Sequence, residues 1–156
     1  MKRYLMSRNK PPTAQKSCGA KYQEIVKKEA FAVHPEYCNG HAQHEFLQGD
    51  LYVKIVYIYR NIWDMDVDNI AKRIIDSFKG HFYQDDCCIK HLHCTKVLID
   101  DYTALEINNE TKGAIPNVEF RMLNRYLSNG APTILYFEVG PYSYAQFTIG
   151  GDLDGY

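Results

Sequence analysis

Acidic side chains are concentrated near the middle of the sequence. The stretches DMDVDNIAKRIID at residues 64–76 and YQDDCCIK at residues 83–90 contain six aspartates between them. Like charges this close repel and raise one another's pKa unless a cation lies among them. That cation can be a metal ion, a lysine or ions from solvent, and each choice implies a different function.

Two uses of such a cluster compete once the EF-hand is set aside. An EF-hand loop needs glycine at its sixth position and glutamate at its twelfth, where this sequence has Asn69 and Ile75. A solvated charged helix face remains possible, and it explains Asp64 easily. It does not explain why charged residues repeat at helical spacing opposite an apolar stripe.

A metal site is the other possibility. Mg²⁺ prefers oxygen ligands, and protein sites usually supply a few carboxylates while water and substrate phosphate complete the shell. Asp66 and Asp68 near a helix start, facing a third aspartate on a neighbouring strand, have suitable types and spacing. Lys72, one turn along, could meet a phosphate or orient a water. The set suits metal-assisted hydrolysis of a phosphodiester bond.

Three elements must position these side chains. LYVKIVYIY at residues 51–59 predicts a buried strand. A helix of about 12 residues follows, with Asp66 or Asp68 as its N-cap and Gly80 after its end. CIKHLHCTKVLID at residues 88–100 predicts the next strand.

The rest of the sequence predicts a mixed architecture. Residues 8–20 are expected to be irregular, and helices are expected at residues 21–34 and 118–128, with late strands at 133–139 and 145–149. The tail at residues 150–156 is expected to fray. Because strands and helices do not alternate regularly, the sequence predicts a single α+β domain over residues 1–156, with a mixed β-sheet packed against two or three helices.

Composition and charge narrow the class. The chain is 46% hydrophobic and 24% charged, as in folded globular proteins, and its five cysteines are an odd number that favours reduced thiols. No apolar run approaches the ~20 residues of a membrane helix, so we expect a soluble, cytoplasmic protein. Residues 1–28 carry eight basic side chains and one acidic one. This basic arm either binds phosphate or is simply solvated.

The central motif resembles the RusA family of Holliday-junction resolvases. It reads Asp-x-Asp-Asn-x-x-Lys-x-x-x-Asp, then Asp-Asp and a strand ending in Lys, and the sequence supplies it as DVDNIAKRIIDSFKGHFYQDDCCIKHLHCTK at residues 66–96. The resemblance covers the middle third of the chain, and the flanking thirds match only loosely. It implies an endonuclease that cuts four-way DNA junctions as a homodimer in recombination and repair, with Mg²⁺ or Mn²⁺ and no small-molecule cofactor.

The resemblance also implies roles for individual residues. The catalytic set is Asp66, Asp68, Lys72 and Asp86, of which the three aspartates hold the metal. The supporting motif positions are Asn69, Asp76, Asp85 and Lys96. Asp76 is also explained by an ion pair with Lys72 along the helix, and Asp85 by a capping role. For the basic arm, the candidate DNA contacts are Arg3, Arg8, Lys10 and Lys16.

Other functions remain open at this point. The region after residue 100 has no clear counterpart in the family, so a branched-DNA-binding protein of phage origin, acting in replication or packaging without catalysis, is the alternative. Cys38, His41 and His44, with a second Cys/His group at residues 87–94, raise the question of zinc. Buried thiols and surface histidines explain them more simply.

Overall fold

The computed structural model describes residues 2–12, 19–38, 46–60, 65–99 and 115–143. These form one sheet with helices on both faces. The strands are β1 (Arg3–Ser7), β2 (Leu51–Tyr59), β3 (Ile89–Leu98) and β4 (Thr133–Pro141). The helices are α1 (Gly19–Val33), α2 (Val67–Phe78) and α3 (Asn117–Ser128), and short 3₁₀ helices lie at Pro35–Cys38 and Asp86–Cys88.

The sheet is mixed, with strand order β1-β4-β2-β3. β2 and β3 run parallel, and β4 runs antiparallel to both β2 and β1. Parallel neighbours need a crossover connection, and α2 provides it. The predicted α+β class, a mixed sheet with helices, is therefore confirmed.

One face of the sheet holds the larger core. Alternate residues of β2 point to this face, and Val53, Ile55 and Tyr57 are fully buried there against α1 and α2. Phe78 at the end of α2 stacks on Phe137 of β4, with ring centroids 4.9 Å apart. These contacts fix α2 across the sheet.

The opposite face holds a smaller core beneath α3. Ile58, Leu123 and Ile134 pack together there. β4 is therefore covered on both faces, and this explains why TILYFEV is almost uninterruptedly apolar.

The boundaries of α2 follow from its sequence. Asp66 is the N-cap, with extended backbone at φ −68° and ψ 152°. Beyond the last residue, Gly80 has φ 74°, which glycine adopts without strain. Ile70 and Ile74 are fully buried while Lys72 is exposed, so the predicted helix and its two stripes are confirmed.

Two sequence expectations need comment. The patterns gave no strand within the basic arm, yet residues 3–7 form β1 and pair with β4. The expected strand at 145–149 and the tail at 150–156 lie outside the described residues. Within the described ranges, no helix has the length and apolar character needed to cross a membrane.

Candidate active site

Two carboxylates stand at the start of α2. Asp66 is the N-cap and Asp68 lies in the first turn, and both are exposed. The Asp66 side chain makes no capping hydrogen bond, so its oxygens are not used by the helix. The partial positive charge of a helix N-terminus stabilises carboxylates here. The two side chains are therefore held close together in sequence and open to solvent.

Lys72 lies one helical turn after Asp68. It is exposed and makes no ion pair with Asp68 or Asp76 within the described part of the chain. The pairing of Asp76 with Lys72 that helical spacing allowed is therefore not observed. Asn69 and Asp76 are half-buried on the same helix. The Lys72 ammonium is free to meet an anion.

The end of β3 holds the entry to α2 in place. Lys96 donates through Nζ to the carbonyl oxygen of Met65 at 2.5 Å, and its ammonium lies 4.9 Å from the ring centroid of Tyr59. The Cys94 thiol contacts the carbonyl oxygen of Val67 at 3.7 Å, and burial raises the pKa of this thiol to about 11. Lys96 therefore positions the backbone beside Asp66 and directs its own charge to the protein.

The pair Asp85 and Asp86 forms a second acidic group with Lys79. Lys79 Nζ lies 2.5 Å from Asp85 Oδ1 and 3.3 Å from Asp86 Oδ1. Asp85 also accepts a 2.7 Å hydrogen bond from the Asp86 backbone N–H, as a cap of the 3₁₀ helix. Side-chain hydrogen bonding with Asp86, followed by that with Lys79, lowers the pKa of Asp85 to about 2.

The two acidic groups lie at opposite ends of α2. Asp66 precedes the first residue of the helix, and Lys79, which holds Asp86, follows the last. Twelve helical residues span about 18 Å. β3 gives the same result, because the strand meets the start of α2 at Cys94, eight positions after Asp86.

The three predicted metal ligands therefore do not meet within one chain. In the described ranges, no three His, Cys, Asp or Glu side chains are grouped closely enough to hold a metal ion. Asp66 and Asp68 are together, and Asp86 is apart from them. The same observation gives no zinc site among the described Cys and His residues, while the side chains of Cys38, His41 and His44 lie outside them.

The basic arm divides into different environments. Arg3 is wrong as a DNA contact, because its side chain is buried at 8% exposure and its guanidinium lies over the rings of Tyr37 and Phe82. Arg8 and Lys10 are exposed. Lys16 lies outside the described residues.

Sequence reasoning missed two charged groups. One is Lys79, whose position just after α2 and six residues before Asp85 was the available signal. The other is Glu138 on β4, buried beneath Lys2 and accepting from the hydroxyls of Tyr52 and Tyr136. No local pattern joins these four residues, which come from three strands and the N-terminus.

Comparison with known proteins agrees with this geometry. The family model described as Endodeoxyribonuclease RusA matches residues 9–108. That range contains α1, β2, α2 and β3, and so includes both acidic groups. A search of individual curated proteins gave no match. Since the family model covers more than half of the chain, the chain belongs to the RusA family of endodeoxyribonucleases, the Holliday-junction resolvases.

Proposed function

We propose that this protein resolves four-way DNA junctions by divalent-metal-dependent hydrolysis of phosphodiester bonds, in recombination and repair. The observation that carries the proposal is the start of α2, where Asp66, Asp68 and Lys72 are exposed and engaged by no neighbouring side chain that the structure describes. Charged side chains left uncompensated beside one another are typical of a site completed by a ligand.

The donor set fits Mg²⁺, with Mn²⁺ as a substitute. Hard divalent cations take carboxylate oxygens, and Asp66 and Asp68 supply them from one rigid helix terminus. When bound, such an ion would activate water and stabilise the charge that develops on the phosphate. Asp66, Asp68 and Asp86 are the proposed ligands.

Lys72 is proposed to bind the scissile phosphate. Its place one turn beyond Asp68 puts a positive charge beside the carboxylates, where it can offset the negative charge of the transition state. Asn69 and Asp76 lie on the same helix and are proposed to support the site. Arg8 and Lys10 are proposed to contact the DNA backbone without reading sequence, together with Lys16.

We further propose a homodimer in which the third carboxylate comes from the other copy. Asp86 lies about a helix length from Asp66 within one chain, so a single copy cannot bring the ligands together without unfolding. In a two-fold dimer, Asp86 of the partner subunit can complete the site. A dimer also presents two sites to a substrate that needs two cuts. Its place of action would be the cytoplasm of a bacterial or phage-infected cell, where the DNA lies.

The test is cleavage of a synthetic four-way junction and of linear duplex, with Mg²⁺ or with chelator. We expect the wild type to cut the junction only with metal, and Asp68→Asn to lose at least about a hundredfold in rate. Glu24→Gln, which changes an exposed acid on α1, is the matched control and should cut normally. Binding without cleavage would favour the non-catalytic DNA-binding alternative.

A further inference from the structure

β3 is an open edge of the sheet in the part of the chain that the structure describes. It runs for ten residues, pairs with β2 on one side and has no strand on the other. A long edge strand presents unpaired backbone donors and acceptors to any other strand. Proteins usually protect such edges with outward charges or proline, or keep them short.

The outer surface along this edge is apolar. Four large apolar side chains are exposed among the described residues, and three of them lie here: Leu92 (46% exposed), Leu98 and Val67. Val67 is beside β3 through the contact of its carbonyl oxygen with Cys94. The charge of Lys96, which could have protected the edge, points inward to Met65. This surface of Leu92, Leu98 and Val67, with the β3 backbone, is called the β3 edge below.

We propose that two copies of this chain pair antiparallel along their β3 edges, with the two-fold axis near Leu92. An antiparallel pair of identical strands is self-complementary, as a two-fold interface requires. At this register the two Leu92 side chains meet on one face and remove each other from water. The sheet then continues from one copy into the other.

The inference rests on the proposed function for its meaning, and the register links the two. With the axis near Leu92, residues the same number of positions before and after it lie opposite each other. Asp86, six positions before Leu92, then lies opposite Leu98 of the partner, at the end of the strand where α2 starts. Pairing of the β3 edges would therefore bring Asp86 of the partner subunit to the end of the molecule that carries Asp66 and Asp68.

Oligomeric state tests the interface directly. Leu92→Lys places two like charges at the axis, and because Leu92 is exposed in one copy, the fold should tolerate it. We expect the dimer dissociation constant from sedimentation equilibrium to rise by on the order of tenfold or more. Val118→Lys, at an equally apolar and exposed position on α3 (38% exposed), is the matched control and should dimerise like the wild type. Circular dichroism checks that both variants fold.

A second variant avoids destabilisation. Leu92→Cys, made with Cys87→Ser to remove an exposed native thiol, should form a disulfide-linked dimer on mild oxidation, because opposed Cβ atoms in an antiparallel pair are about 4.5–5.5 Å apart. Val118→Cys in the same background should not cross-link. The proposal is overturned by a monomeric wild type, by a Leu92→Lys dimer as tight as wild type, or by equal cross-linking of the two cysteine variants.

Neither readout uses DNA. A dimer that pairs through β3 but cuts no junction would overturn the proposed function and leave the interface standing. A Leu92→Lys protein that cuts junctions as a normal dimer would do the reverse.

Discussion

Lys96 Nζ donates to the carbonyl oxygen of Met65 at 2.5 Å, and this contact ties β3 to the residue just before Asp66. The two residues are 31 positions apart in sequence. The start of α2 is therefore held by the strand that forms the edge of the sheet, and a change at that strand can reach the carboxylates without touching them.

Replacing Lys96 should weaken catalysis through the backbone. Lys96→Met removes the donor to the Met65 carbonyl, and hydrogen bonds to charged groups contribute about 1.5–3 kcal/mol. We expect junction cleavage to fall about tenfold at saturating DNA, with unchanged DNA affinity. Lys96→Arg, which keeps a charged donor, should recover part of the rate. A loss of affinity with unchanged turnover would show instead that Lys96 contacts DNA.

Replacing Lys72 should affect the chemical step without affecting the fold. The side chain is exposed and makes no ion pair that the structure describes. We expect Lys72→Met to lower the cleavage rate by about 10²–10³-fold, while the melting temperature stays within about 1–2 °C of wild type. Lys28→Met, at an exposed lysine of α1, serves as the control. Equal small losses in both variants would mean that Lys72 contributes only general positive charge.

Lys79 should control the titration of Asp85. The pKa of Asp85 is lowered to about 2, first by its hydrogen bonding with Asp86 and then by Lys79. Lys79→Met should therefore raise this pKa while leaving it below the ordinary value, since the Asp86 contribution remains. Carboxyl carbon shifts followed by NMR from pH 1.5 to 6 measure the change. An unchanged Asp85 titration would show that the Lys79 contact does not persist in solution.

Glu138 should make stability depend on acid pH. Burial raises the pKa of this carboxyl, but hydrogen bonds from Lys2, Tyr52 and Tyr136 outweigh burial, and the pKa is lowered overall. A carboxyl with a lowered folded pKa stabilises the fold above its unfolded pKa of about 4.3–4.5, and this contribution is lost as pH falls through the lower folded value.

The corresponding variant is Glu138→Gln. We expect a loss of about 1–3 kcal/mol in unfolding free energy at pH 7, measured by urea denaturation. The difference from wild type should shrink as the pH falls below about 4.5. A difference that is constant from pH 3 to 7 would show that Glu138 is not ionised in the folded protein.

Local patterns were enough to predict the central elements. The nine residues of β2 and the twelve of α2 were predicted within a residue, because alternation and helical spacing are read over short windows. β1 was missed because RYLMS is short and lies among basic residues. Arg3 was misplaced because charge alone does not show that a guanidinium is buried over aromatic rings.

The site was predicted only in part, for a topological reason. Motif spacing along the chain correctly put Asp66, Asp68 and Lys72 on one exposed end of α2. It could not show that α2 runs back along the sheet, so that Asp86 begins the next strand at the opposite end. The family motif therefore names residues that only the three-dimensional fold shows to be far apart in one chain.

The most direct test of the account is complementation between two inactive variants. Asp68→Asn and Asp86→Asn carry different tags, and the mixed dimer is purified through both tags and given Mg²⁺ and a four-way junction. If each site takes Asp68 from one copy and Asp86 from the other, the mixed dimer has one intact site, and we predict that it nicks a single strand although neither variant cuts alone. A mixed dimer as inactive as its parents, beside an active wild type, would contradict the shared site.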